Sequence, residues 1–241
     1  MGLTAVLCYG TNIELAMSAL KARPASFSAS WDDVKKHAGS LAFSYISVTV
    51  LSAIAAIVFF IVNLLFTTVG GGPYSDLGPV LGLLAGSLGS IPFWIVLSLL
   101  SVLFVAIPAV YFERGDVITF RDALTILRAN SIRYIMAGVF FTAAMSLGFA
   151  FCIIPGIAVA LVTPIYVNKV FNSQLSIIEA FSSSFSAVYK GKGWSFVGQQ
   201  VLIAIAVQFV SLCTCGVGLI IALPLAFFYL QNLAYNKGLV A

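Results

Sequence analysis

Long apolar runs alternate with short polar stretches along this chain, and the alternation repeats. From Thr119 to Pro164, a polar, helix-like run opening Thr-Phe-Arg-Asp leads into an apolar stretch broken at Cys152-Ile-Ile-Pro-Gly156. The same plan recurs from Ser176 to Pro224, and more loosely from Ser30 to Pro108. Each copy reads as an amphipathic helix followed by a membrane hairpin, giving units at about 27–112, 117–172 and 175–236. Several runs exceed the roughly 18 apolar residues needed to cross a bilayer. They lack the period-two alternation of barrel strands, so the spans are expected to be helices. The predicted fold class is all-α: one integral membrane domain over 1–241 with six transmembrane helices in three repeated units. The spans are expected near 41–67, 91–112, 134–152, 156–172, 195–213 and 217–235.

Each unit opens on a Ser or Thr with an acid three residues later: Ser30 with Asp33, Thr119 with Asp122, and Ser176 with Glu179. This is the capping-box pattern, in which hydroxyl and carboxylate each satisfy the other residue's backbone N–H. One such match is an ordinary helix start. Three in the same place relative to three hairpins carry more weight. Pro108, Pro164 and Pro224 lie 56 and 60 residues apart, each within the second span of its hairpin. In the first polar helix, Phe27, Trp31 and Val34 share a face while Asp32, Asp33, Lys35 and Lys36 point elsewhere, which suits the headgroup boundary. Residues 3–22 read as a helix lying on the membrane, ended by Arg23-Pro24. The seven glycines of residues 70–90, with Pro73 and Pro79, mark the longest non-helical insertion. Within it, Gly82 and Gly86 match the small-residue spacing of close helix contacts. Pro155-Gly156 and the segment from Cys213 to Gly216 supply the remaining hairpin turns.

Composition narrows the class. The chain is 61% apolar and 8% charged, against about 25% charged in soluble domains, which excludes a soluble protein. No basic, apolar and small-residue signal precedes Lys21, and Val6 stands where myristoylation wants Ser or Thr. The first span is therefore expected to direct insertion itself. Cys8, Cys152, Cys213 and Cys215 are too few for a disulfide framework and form no CxxC pair. Cys152 and the Cys213/Cys215 pair would both lie at the outer ends of hairpins, and a bridge between them is left open. With six spans, all 12 Lys and Arg fall on the side of the termini together with seven of the eight acids, a net +5 there. Asp76 alone charges the other side. Basic residues collect on the cytoplasmic side of short loops, so both termini are expected to be cytoplasmic.

No ionisable residue is expected at mid-membrane, where one would mark an ion or proton path. His37, beside Lys36, reads as a solvated headgroup-level residue with no partner at metal-ligand spacing. Asp33, Asp122 and Glu179 are accounted for as caps. No nucleophile–base pair or metal set can be assembled. The expectation is therefore no catalytic, cofactor-binding or metal residues, no cofactor, and no enzymatic activity. The spans carry uncharged polar residues instead: Asn63, Asn168, Gln199, Gln200, Gln208, Gln231 and Asn232. Such amides join helices for under about 2 kcal/mol. Alternatively, Gln199, Gln200 and Gln208 line a small polar path. The basic face, with Trp31, Tyr134, Tyr189 and Trp194 near its boundary, should favour anionic lipid headgroups. Positive-inside topology alone would also leave such a face.

The run from Cys152 to Pro164, the stretch Ser176 to Ser184, Gly191-Lys-Gly-Trp194, and the span from Gly216 to Pro224 together resemble a group of bacterial six-span membrane families of unknown function. That group includes the membrane domain preceding the catalytic domain of some glycerophosphodiester phosphodiesterases. The resemblance covers about residues 115–236 and only the membrane domain, so it implies no phosphodiesterase activity. It implies a bacterial inner-membrane protein linked to envelope or lipid homeostasis.

The functional expectation is thus a non-enzymatic multi-pass protein of the bacterial inner membrane. It would interact with lipids or serve as a structural or accessory subunit of a larger membrane complex. Its partners would be membrane lipids, above all anionic headgroups, and membrane proteins, with no nucleic acid. A small transporter or permease with a polar path near the fifth span is the alternative. An intramembrane lipid enzyme ranks last for want of catalytic residues.

Overall fold

The structure is a computed structural model that describes residues 18, 20–191 and 193–240. Cys8, Lys192 and most of the helix expected over 3–22 lie outside those residues. A helical turn ends at Ala22 ahead of Arg23-Pro24. Ten helices follow: α1 (Phe27–Lys36), α2 (Ala38–Val69), α3 (Gly78–Arg114), α4 (Phe120–Ala129) and α5 (Ser131–Phe151). Then come α6 (Ile153–Leu161), α7 (Thr163–Asn172), α8 (Ile177–Tyr189), α9 (Gly193–Cys213) and α10 (Leu219–Asn236). The described residues form no strand. Helices α2, α3, α5, α9 and α10 are each long and apolar enough to cross a membrane. The pair α6 and α7, bent by 43°, brings the number to six if it is one span.

The bend follows from Pro164 in the first turn of α7. Proline has no N–H to give the carbonyl four residues back, which is that of Ala160. The Thr163 hydroxyl donates to that carbonyl at 2.6 Å. Cys152, Cys213 and Cys215 are exposed free thiols.

The chain divides into two compact units, one of Ala42–Val102 and one of the residues before and after it. In the Ala42–Val102 unit, the expected non-helical insertion over 70–90 is mostly helix. Only residues 70–77 form the turn, where Gly71 and Gly72 take positive φ. The Ser75 hydroxyl accepts from Gly78 N–H at 2.9 Å, starting α3, and Pro79 suits a first helical turn. In apolar surroundings an irregular backbone leaves unmatched donors and acceptors, so the glycines continue as helix. They then permit close contact with α2. A Cβ on Gly82 would stand 2.6 Å from the Asn63 carbonyl oxygen, and one on Gly86 3.0 Å from that of Phe59.

In the larger unit, the end of α3 packs with α7 and α10. Leu103, Ile107, Phe112, Ile165 and Phe228 are among its most buried side chains. Phe112 stacks on Tyr235, and Tyr111 meets Phe228 edge-on. The most apolar window of α10 is 44% buried, against 17% for α5 and 22% for α9, so α10 is central and the other two are peripheral. The short helix α8 lies against α7 and α5 through Phe181, whose ring meets Tyr166, Phe140 and Phe141.

The glycine contacts generate a stability test. Alanine is favoured over glycine inside a helix by about 1 kcal/mol, so Gly138→Ala, with nothing within 4 Å of its Cβ, should hold or raise the melting temperature in detergent. Gly82→Ala should lower it. A melting temperature raised by Gly82→Ala would refute the close contact between α2 and α3.

Candidate functional site

Helix α1 starts one turn earlier than its box predicted. Its N-cap is Ser26, whose hydroxyl accepts from Ala29 N–H at 3.2 Å. Ser30 and Asp33 lie inside the helix and are completely buried, so this pair is no capping box. The inward face holds Ser30, Asp33, Val34 and His37, while Phe27 and Trp31 are exposed. Of the expected apolar face, Phe27 and Trp31 are thus turned outward and Val34 inward. The reason is that the carboxylate finds partners inside. Asp33 Oδ1 accepts from the Tyr111 hydroxyl at 3.0 Å and from Lys36 Nζ at 3.4 Å. The Arg23 guanidinium reaches both carboxylate oxygens, at 3.4 Å on Oδ1 and more closely on Oδ2.

His37 is likewise buried, not solvated. Ile118 N–H donates to Nε2 at 3.2 Å, so that nitrogen carries no proton. Nδ1–H then donates to the Asp33 carbonyl at 2.8 Å. The ring sits against Tyr111 and Phe228, with centroids 4.7 and 5.1 Å away. Ser40 donates to the Ile118 carbonyl at 2.7 Å, completing the tie between the start of α2 and the loop before α4. Burial pushes the His37 pKa below its ordinary 6.5.

A second polar chain crosses the same end of this unit. Lys21 Nζ meets Glu113 Oε2 at 2.9 Å, and the Tyr235 hydroxyl donates to the same oxygen at 2.8 Å. Asn168 Nδ2 donates to Tyr235 at 3.1 Å and to Gln231 Oε1 at 3.0 Å. Gln231 Nε2 donates to the Pro164 carbonyl at 2.7 Å, and Asn172 Nδ2 to that of Ala109 at 3.0 Å. Asn236 Nδ2 reaches the Arg23 carbonyl at 2.7 Å. Arg133 Nη2 holds the carbonyls of Ser173 and Leu175, each at 2.8 Å. These contacts gather the ends of α1, α3, α7 and α10 and the start of α5 into one polar layer.

Two of the three predicted capping boxes form. The Thr119 hydroxyl accepts from Asp122 N–H at 3.2 Å while the Asp122 carboxylate takes Thr119 N–H at 3.1 Å. Ser176 and Glu179 do the same at 3.2 and 3.0 Å. The hydroxyl and N–H of Thr119 hold Asp122 below the ordinary carboxylate range, and the N–H of Ser176 acts first on Glu179. The predicted polar path does not assemble. On α9, Gln200 is buried, Gln199 half-buried and Gln208 exposed, and Gln199 and Gln208 are nine positions apart, on opposite faces of a helix of 3.6 residues per turn.

Chemically, the two networks read as clamps. Asp33 is saturated with donors, and both His37 nitrogens are engaged, so neither offers a free base in this arrangement. Among the described residues no three His, Cys, Asp or Glu side chains gather as a metal set. Sequence reasoning missed Arg23, Tyr111, Glu113 and Tyr235 as partners. The available signal was tyrosine and amide residues at the ends of otherwise apolar runs. No protein family, curated protein or solved structure matches the chain.

Two outcomes follow from this geometry. Tyr111→Phe removes a donor from a buried acceptor and should cost roughly 1–3 kcal/mol of stability, measured by thermal or denaturant unfolding; no loss would contradict a clamp at Asp33. For His37, the folded form binds its proton less readily than the unfolded chain. Stability therefore rises with pH between the lowered folded value and about 6.5, and falls as acid is added below it. The melting temperature should fall below about pH 6.5, and His37→Gln, whose amide oxygen can still accept from Ile118, should lack that part of the fall. An unchanged profile in the variant would refute it.

Proposed function

We propose that this chain is a non-enzymatic, multi-pass protein of the bacterial inner membrane that interacts with anionic lipids through its basic end, with both termini cytoplasmic. The observation that carries the reading is the polar layer. Lys21, Arg23, Arg133 and the carboxyl end of α10 are hydrogen-bonded into one end of the larger unit. Arg114, Arg121, Arg128 and Lys190 are exposed. Basic residues concentrated on one side mark the cytoplasmic side, and each near the surface contributes about 1 kcal/mol toward anionic lipid.

Three repeated units and six spans belong to the same reading. It is supported by the short helices α1, α4 and α8, each standing before a pair of long apolar segments, with α6 and α7 taken as one kinked span. The transporter alternative is disfavoured because Gln208 faces outward from α9. An accessory role in a larger complex remains compatible with the exposed apolar helix faces, and is decided by the same experiment.

In a cysteine-free background, cysteine at Tyr74, which is fully exposed, should react with an impermeant maleimide in intact cells. Cysteine at Asn236 should not. Native mass spectrometry of gently extracted protein should show copurified anionic lipid. Reversed labelling would overturn the topology, and a stoichiometric protein partner without lipid would replace the lipid reading with the subunit one.

A further inference from the structure

We propose that Lys169 and the serines of α8 form a binding site for the phosphate of an anionic glycerophospholipid in the leaflet that meets the polar layer. This rests on the lipid-interacting reading above and names one site for it. Lys169 lies a turn inside α7, partly buried, in a helix with no other charged residue. Its Nζ donates to Ser183 Oγ at 3.2 Å, and Ser183 in turn donates to the Ala180 carbonyl at 3.2 Å. No carboxylate pairs with Lys169 among the described residues. The nearest acid along α8, Glu179, is turned back onto the N–H of Ser176.

Most other bonded basic residues at this end have acids or carbonyls; Lys237, beyond the end of α10, also donates to a serine hydroxyl, Ser195 Oγ at 2.6 Å. Lys21 has Glu113, Arg23 and Lys36 have Asp33, and Lys35 has Asp32. Arg133 has two carbonyls. An ammonium carries three donors, and Lys169 uses one of them on a neutral hydroxyl. A cation in an apolar helix is costly without an anion, and at the end of a span the anion within reach is a lipid phosphate. Ser186, one turn beyond Ser183, brings a second hydroxyl on the same face of α8, with no partner among the described residues. A serine–lysine nucleophile is the other use of such a pair. Ser183 lies in the middle of α8, where backbone N–H groups are committed to the helix and none is left to hold an oxyanion.

The test is native mass spectrometry of the full chain in mild detergent, titrated with phosphatidylglycerol, with phosphatidylcholine, or with inorganic phosphate alone. Wild type should retain one phosphatidylglycerol in preference to phosphatidylcholine. Lys169→Met should weaken that binding about fivefold, while Lys169→Arg should keep it. Without lipid, Lys169→Met should melt no lower than wild type, because the stem is kept and an unmatched charge is removed. A lower lipid-free melting temperature would make the lysine a structural member and overturn the site. Unchanged phosphatidylglycerol binding in Lys169→Met would also overturn it, leaving the basic end as the lipid surface. If wild type shows no preference for phosphatidylglycerol, the lipid-interacting reading itself fails. Inorganic phosphate raising the wild-type but not the Lys169→Met melting temperature, with no phosphatidylglycerol retained, would make the ligand a free phosphate and overturn the lipid assignment.

Discussion

Apolar surroundings supply no hydrogen-bond partners, so polar groups within this chain must be matched from inside it. Much of the larger unit can be read as the working out of that constraint. Pro164 leaves the Ala160 carbonyl short of its helical donor, and Thr163 supplies one. Gln231 and Asn172 then place their amides on the carbonyls of Pro164 and Ala109, the first on α7 and the second on α3. Side-chain amides on one helix thus serve backbone carbonyls on another. That fixes the three central helices in register more sharply than leucine-on-leucine packing can, because an amide has direction and a methyl group does not.

The same constraint explains why Asp33 turns inward. A carboxylate on an amphipathic helix normally faces water, and α1 has water-facing positions at Asp32, Lys35 and Lys36. Asp33 instead meets an arginine from the segment before the helix and a tyrosine from the end of α3. Burying a charge is tolerable only with such partners. The result joins residues far apart in the chain: Arg23 and Asp33 near its start, and Tyr111 after the whole Ala42–Val102 unit.

Within Ala42–Val102 the matching is achieved almost without side-chain polarity. Seven glycines over 70–90 look like a flexible loop when only local propensity is weighed. Helix from Gly78 onward satisfies the backbone groups of the last four, and the missing side chains let α3 approach the carbonyls of Asn63 and Phe59. A residue type that costs stability in an isolated helix becomes the means of close packing between two.

The sequence by itself determined the helical character and the runs long and apolar enough to cross a membrane, since apolar length and the lack of period-two alternation are local properties. It also placed the boxes at Thr119 and Ser176, where cap and acid are three residues apart and no distant contact intervenes. Pro164 was visible as a proline within a span, as were Pro108 and Pro224, but only Pro164 stands at a break between helices. Tertiary structure decided which polar residues face inward. The same hydroxyl-x-x-Asp spacing caps α4 at Thr119 but runs through the interior of α1 at Ser30, because Arg23 and the distant Tyr111 outweigh a local cap. It likewise buried His37 between Tyr111 and Phe228 and turned Gln208 outward. Those outcomes depend on which helix ends meet, and a pattern of neighbours along the chain carries no record of partners 78 or 81 positions away.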